Sequence, residues 1–274
     1  MSVAPIRKIL AGALAAALAL AAAGCAGNAR KAAPAHDDSL QRVMLEEREL
    51  VMGLDGTFSP MAFTDESGEI VGFDVDVAQE VCDRLGIRLV KKVIDWSTKE
   101  DALNSGEIDC IWGAMSATPA RAEAMNLSDP YMQNELIFVV SRNSDVRVMD
   151  DLRGKRVGVQ PASTVEEVLE ASDIYPDITV VLTDHDNLLR KLQDGELDAI
   201  LTDSVLAYYF LYTSEEQYYV LSDSLGEEGY VIGFRKGDQA LRDKVQEIIY
   251  EMGADGTLGE ICRKWFGCDI TIVR

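Results

Sequence analysis

Histidine is almost missing from this chain, with two in 274 residues, and proline is scarce, with seven. Neither His36 nor His185 stands in a cluster of His, Cys and carboxylates at ligand spacing, so no metal site and no cofactor are expected. Runs of Lys and Arg are also absent: 26 cations face 47 anions, for a formal charge of -21. Such a surface is a poor match for polyphosphate, and nucleic acid is not an expected partner. Beyond residue 23 there is no long apolar run, and 27% charged residues are too dense for a multi-span membrane protein. What is present, 47% apolar residues, is enough to build one or two compact domains.

The single apolar run, Ile9 to Ala23, follows Arg7 and Lys8 and reads as the core of a secretory signal over residues 1–24. It ends in Ala22-Ala23-Gly24-Cys25, which resembles the lipobox of bacterial lipoproteins, whose cysteine is acylated and becomes the mature N-terminus. An ordinary signal cut nearby is the alternative. Removal of residues 1–24 takes away two cations and no anions. Residues 25–38, small and polar and without apolar periodicity, read as a flexible tether between lipid and fold. The chain is therefore expected to act outside the cytoplasm, anchored to a membrane face, its envelope type left open.

Four cysteines remain after Cys25. In an oxidising compartment their even number permits two disulfides, with Cys262 and Cys268, five residues between them, as one pair and Cys82 with Cys110 as the other. Four free or buried thiols are the alternative.

The most informative pattern is internal. Leu103-Asn-Ser-Gly-Glu-Ile-Asp109-Cys-Ile111 recurs 89 residues later as Leu192-Gln-Asp-Gly-Glu-Leu-Asp198-Ala-Ile200. Each copy reads as a helix ending at a glycine, Gly106 or Gly195, followed by a short apolar strand. Each is preceded by another strand and helix: Val71 to Phe73 leading into Asp74–Leu85, and Val157 to Val159 leading into Ser163–Ala171. Ser97 with Glu100 and Ser163 with Glu166 have the spacing of capping boxes, and Thr118-Pro119 places a cap before a proline at the first helical position.

Alternating strands and helices predict two similar α/β lobes with mostly parallel sheets, and functional groups at strand C-termini and helix N-termini. Those junctions hold Gly113, Ala114, Ser116, Thr118 and Arg121 after the first repeat, Asp203 after the second, and Asp55, Phe58, Trp96, Ser163 and Thr164 after the other strands. One guanidinium, carboxylates, hydroxyls at helix starts and two aromatics form the set that a small zwitterion needs. The guanidinium and helix N–H groups suit an α-carboxylate, and Asp203 suits an α-ammonium.

On these residues the sequence resembles the family-3 periplasmic solute-binding proteins of polar amino-acid ABC importers. The resemblance is carried by GLDGTFSPMAFTDESGEIVGFDVDVAQEV (53–81), LNSGEIDCIWGAMSATPARAEAMNLSDPY (103–131), DLRGKRVGVQPAST (151–164) and LDAILTD (197–203). It implies an α/β, two-lobed type II periplasmic-binding-protein fold, each lobe a mixed, mostly parallel sheet flanked by helices. Two hinge strands, Ile137–Ser141 outward and Gly229–Phe234 back, would join lobe 1 (39–138 plus 233–274) to lobe 2 (139–232).

The resemblance further assigns carboxylate binding to Arg121, aided by Ser116 and the Ala114 carbonyl, with Ser163 and Thr164 contributing from lobe 2. Ammonium binding falls on Asp203 and side-chain contacts on Asp55, Phe58, Trp96 and Gly113. Where the family usually has glycine before Ser-Thr, this chain has Pro161-Ala162, which makes a positive φ costlier there. The implied function is capture of a free polar L-amino acid by a monomeric, non-enzymatic binder that delivers it to permease subunits driven by a cytoplasmic ATPase. This chain carries no GxxxxGK[ST] of its own.

Asp55 in the pocket disfavours acidic side chains and leaves glutamine or a basic amino acid preferred, with cystine also open. One rival is an enzyme of the cyclohexadienyl-dehydratase type on the same fold, which needs a general acid, for which Asp55 is the spare carboxylate. Another is a sensing module, which would ordinarily continue beyond Arg274 into a membrane span.

Overall fold

The computed structural model describes residues 37–213 and 217–274. The signal, Cys25, His36 and nearly all of the tether expected over 25–38 lie outside the described residues. Asp37 is already part of the fold, accepting from the N–H of Ser39 at 3.0 Å and of Ala240 at 2.5 Å.

Twelve strands and eight main helices follow. The strands are β1 (Glu49–Leu54), β2 (Thr57–Phe58), β3 (Ala62–Thr64), β4 (Ile70–Val71), β5 (Arg88–Val93), β6 (Cys110–Ser116), β7 (Asn126–Leu127), β8 (Met132–Ser141), β9 (Arg156–Val159), β10 (Thr179–Leu182), β11 (Ala199–Asp203) and β12 (Tyr218–Phe234). The helices are α1 (Phe73–Leu85), α2 (Lys99–Asn104), α3 (Pro119–Ala124), α4 (Thr164–Glu170), α5 (His185–Gln193), α6 (Ser204–Thr213), α7 (Gln239–Asp255) and α8 (Thr257–Phe266).

The large sheet has the order β10-β9-β11-β8-β12-β6-β1-β5, and β2, β3 and β4 form a separate small sheet. The two ends of the large sheet are parallel triplets, β5-β1-β6 and β10-β9-β11, in which the repeated strands β6 and β11 sit beside β1 and β9; the segment expected to lead the first copy, Val71 to Phe73, instead lies in β4 of the small sheet and the start of α1. Between them run β8 and β12, antiparallel to each other, with Tyr230 opposite Met132 and Tyr218 opposite Ser141. The expected hinge segments are parts of these two longer strands. The architecture is mixed α/β, with a parallel triplet at either side of an antiparallel pair, as the resemblance implies.

Strand alternation divides the cores. Trp112 and Cys110 of β6 pack with Met52, Phe73, Val81 and Ile249 on one face, while Ile111 and Met115 pack with Leu103 and Ile108 on the other. In the second triplet Phe138 and Val140 join Val157, Val159 and Leu201, while Ile137 and Val139 join Leu188, Leu197 and Ile200. Burial on both faces is why these strands read as nearly continuous apolar runs.

The repeated aspartates have one shared job. Asp109 accepts from the N–H of Val51 at 2.9 Å, and Asp198 accepts from that of Arg156 at 2.8 Å, so each ties its strand to its parallel neighbour. Gly106 and Gly195 take φ of 79° and 71° just past their helices, as the pattern requires.

Two expectations are corrected. The cap at Ser97 does not form: Asp95 accepts from the N–H and hydroxyl of Ser97 at 2.9 and 2.7 Å, and the carboxylate, a stronger acceptor than a hydroxyl, starts a 3-10 turn instead. Nor do the disulfides form in this structure, in which Cys82, Cys110, Cys262 and Cys268 are all free thiols. Cys82 and Cys110 are packed into the apolar core, and the Cys262 sulfur accepts from the Ile270 N–H at 3.3 Å.

Candidate functional site

The C-terminal ends of β1, β6, β9 and β11 and the helices and loops that follow them line one narrow cavity. Asp55, Phe58, Trp96, Gly113, Ala114, Ser116, Arg121, Ser163, Thr164 and Asp203 all line it, so the structure brings together every ligand-binding residue expected from the sequence. Gln160, Val165 and His185 complete the lining.

Arg121 is held at the start of α3, where the Thr118 hydroxyl caps its N–H at 3.1 Å. The side chain is 7% exposed, and Nη1 donates to the Ser116 carbonyl at 2.7 Å. Among the described residues no ion pair to Arg121 is formed. Burial lowers its pKa, opposed by the charges of Glu167, Glu100, Glu228 and Asp203. A buried guanidinium with most of its N–H fork unused by protein carboxylates is suited to an anionic group entering the cavity.

Asp203, also 7% exposed, ends β11. Its Oδ1 accepts from Asn134 Nδ2 at 2.5 Å and from the Tyr230 hydroxyl at 2.8 Å. Burial, reinforced by the charge of Glu228, pushes its carboxyl up to about 7. Glu228 in turn accepts from the Ser116 hydroxyl at 2.5 Å. Asn134, Tyr230 and Glu228 sit on the two crossing strands, far in sequence from the residues they hold, and the reading of the junctions missed them.

Two positions carry backbone strain. Ala114, with φ 52°, turns back over the end of β6, and its N–H donates to buried Asp74 at 2.7 Å. Ala162, where the family's glycine is lacking, takes φ 55° all the same. Its N–H donates to Glu166 at 2.6 Å, and its carbonyl accepts from Lys99 Nζ at 3.3 Å. Local hydrogen bonds therefore impose the left-handed turn without a glycine. Ser163 caps α4 as the spacing suggested, accepting from the Glu166 N–H at 3.3 Å, but its own proton goes to the Gln160 carbonyl at 2.7 Å.

At the far end of the cavity Asp55 Oδ1 accepts from Thr57 Oγ1 at 2.6 Å, and its Oδ2 accepts from Gln160 Nε2. Phe58 and His185 pack with ring centroids 4.6 Å apart and planes tilted by 55°, and Lys99 Nζ lies 5.2 Å from the centre of Trp96. His185 is 3% exposed, and burial pushes its imidazole down to about 4 against the pull of Asp55 and Asp184. Gln160 directly follows β9 and His185 comes three residues after β10, so the strand-end rule that found the others would also have found them.

The profile of the bacterial extracellular solute-binding proteins, family 3, matches residues 50–268. The chain belongs to that family. It is 29% identical to the L-cystine-binding protein TcyJ of Escherichia coli over 86% of this chain and 89% of that one. It is 30% identical to the arginine-binding extracellular protein ArtP of Bacillus subtilis over 80% and 87%. A crystal structure of a protein bound to L-arginine superposes with a TM-score of 0.82 at 30% identity, covering 86% of this chain and 98% of that one.

In this family-3 solute-binding protein the cavity brings a guanidinium, carboxyl groups, hydroxyls and two aromatic rings to one place. Among the described residues there is no group of three metal-ligating side chains, and no helix is long and apolar enough to cross a membrane.

Proposed function

We propose that this solute-binding protein captures a polar amino acid by closing two lobes on it and hands the closed complex to an ABC importer. The observation that carries this reading is the placing of a buried guanidinium and a buried carboxyl on one cavity: Arg121 for the α-carboxylate and Asp203 for the α-ammonium. With the lobes taken as 39–138 plus 233–274 and 139–232, Arg121, Asp55, Phe58, Trp96, Gly113, Ala114 and Ser116 belong to lobe 1. Asp203, Gln160, Ser163, Thr164 and His185 belong to lobe 2. The Asp55–Gln160 and Lys99–Ala162 hydrogen bonds then cross the cleft, and a ligand that touches lobe 2 only when the cleft is shut stabilises the shut form.

Glutamine or a basic amino acid fits Asp55 best, and the cystine and arginine binding of the relatives lies within the same range. The protein acts as a monomer and not as an enzyme, and Cys25 carries the lipid that holds it to the membrane face. The test is thermal unfolding of the full chain with each standard amino acid plus ornithine, citrulline and cystine. A ligand at about 100 times its dissociation constant adds about 2.7 kcal/mol and raises the midpoint by several degrees. No shift with any of them contradicts the reading, and turnover of prephenate or arogenate would replace it with the dehydratase.

A further inference from the structure

The far end of the cavity is a one-way hydrogen-bond chain. Asp55 offers only acceptors, so the group facing its Oδ2 is the Gln160 amide nitrogen, and the amide oxygen therefore faces His185. That oxygen lies 3.1 Å from His185 Nε2, which must carry the proton, because two acceptors cannot share the contact. A neutral ring with Nε2 protonated leaves a bare lone pair on Nδ1. Among the polar atoms of the cavity's lining side chains, Nδ1 of His185 is the one that is buried without a hydrogen-bond partner among the described residues. The ring is held in place by Phe58 against one side and by its position as first residue of α5, after the cap Asp184.

We infer that His185 is a positioning residue which, through Gln160, sets a bare imidazole lone pair beside the Asp55 carboxylate, gives the side-chain end of the cavity a wall with two strong acceptors, and selects an amino acid with a cationic, N–H-rich side chain. The inference rests on the amino-acid reading above and narrows it. A guanidinium or ammonium satisfies Asp55 and the Nδ1 lone pair at once. The amide oxygen of glutamine gains nothing from either acceptor, and the second carboxylate of cystine meets Asp55. Unpaired buried acceptors reject the poorer partners more strongly than shape alone would.

A proton on His185 reverses the wall, adding a donor at Nδ1 and a positive charge beside a cationic ligand. Gln160 and His185 belong to one lobe and Asp55 and Phe58 to the other, so opening returns the ring to water and its ordinary pKa near 6.5, while closure requires the neutral form. Acid therefore opposes closure on a cation. The charged groups around the ring are Asp55 from the loop after β1, Asp184 and Asp186 of α5, and Asp203 and Arg121 on the same cavity. Asp203 titrates in an overlapping range, so the contribution of His185 is read as the difference from a variant that keeps the relay but cannot titrate.

The experiment is calorimetric titration of the full chain in mild detergent with L-arginine, L-glutamine and L-cystine at pH 8 and pH 5, for the wild type and for His185→Gln. Arginine is expected to bind at least about tenfold tighter than the other two at pH 8. Its affinity should fall by at least about tenfold more between pH 8 and pH 5 in the wild type than in His185→Gln, one proton being worth up to tenfold per pH unit. A preference for glutamine or cystine in the wild type overturns the inference, and needs no variant to fold. Equal pH profiles in the two proteins overturn it as well. In both cases binding that disappears in Arg121→Ala leaves amino-acid capture standing, whereas no binding of any amino acid removes capture and this inference together.

Discussion

The carboxylate of Asp74, fully buried at the start of α1, accepts from the N–H of Ala114 at 2.7 Å and from the hydroxyl of Tyr131 at 2.8 Å. Through the first bond it fixes the left-handed turn that brings the Ala114 backbone to the cavity. Replacing Asp74 by Asn puts an amide donor where an acceptor is needed. The expected cost is about 1–3 kcal/mol in stability with weaker ligand binding, measured by urea unfolding and by titration. An unchanged unfolding midpoint contradicts this role.

Asp74 and Asp203 are both pushed up to about 7 by burial. A carboxyl raised in the folded state holds a proton that the unfolded chain has released, so its stabilisation is full below about 4 and is lost as pH rises to about 7. His185, pushed down to about 4, acts in the opposite direction between about 4 and 6.5, because the unfolded chain binds the proton there. Removing one aspartate therefore tilts the profile toward greater stability with rising pH. Urea unfolding of Asp203→Asn from pH 4 to 7 should show a slope more positive than the wild type by up to one proton; an identical slope would count against the buried, protonated carboxyl.

Ala162 holds a φ of 55° that costs an L-residue about 1–2 kcal/mol. Ala162→Gly should therefore stabilise the fold by about 0.5–1 kcal/mol, after the extra entropy of the unfolded glycine is subtracted. A lower melting temperature for Ala162→Gly would show that the turn carries no strain.

The repeat makes a paired prediction. Asp109 is 2% exposed and pairs with Arg42 at 2.7 Å and Arg235 at 3.0 Å, whereas Asp198 is more open and pairs with Arg156. Asp109→Ala removes the buried acceptor shared by Arg42, Arg235 and the Val51 N–H, although Arg42 keeps Glu47 and Arg235 keeps Asp238, and should cost about 2–3 kcal/mol, against about 1 kcal/mol for Asp198→Ala. Equal losses in chemical denaturation would refute the ranking.

Much of this was legible in the sequence for a stated reason. Parallel strands deliver functional groups at their C-terminal ends, so Arg121, Ser116, Asp203, Asp55 and Trp96 could be picked out once the strands were placed. Asn134, Tyr230 and Glu228 could not, because they reach the site from the antiparallel crossing strands, whose alternating residues carry no junction signal. Ser97 was misread because the Asp95 carboxylate two residues earlier takes both its N–H and its hydroxyl. The positive φ at Ala162 was invisible because it is imposed by Lys99 and Glu166, and only one of these is a sequence neighbour.

The thiols give a direct chemical test. Burial pushes Cys82 up to about 12 and Cys262 to about 11 and raises Cys110 well above its ordinary value, while Cys268 is exposed. Brief alkylation of the folded protein, read by peptide mass spectrometry, should modify Cys268 and spare the other three until the chain unfolds. Protection of Cys268 that is lifted by a reductant would mean that it is oxidised to a disulfide.

The central claim is that Arg121 holds the carboxylate of a captured amino acid. Titration of wild type and Arg121→Ala with the amino acid that most raises the unfolding midpoint tests it most directly. Loss of a buried charged partner should weaken binding by about 2–5 kcal/mol, which is thirtyfold or more. An affinity within about twofold of the wild type would contradict the account.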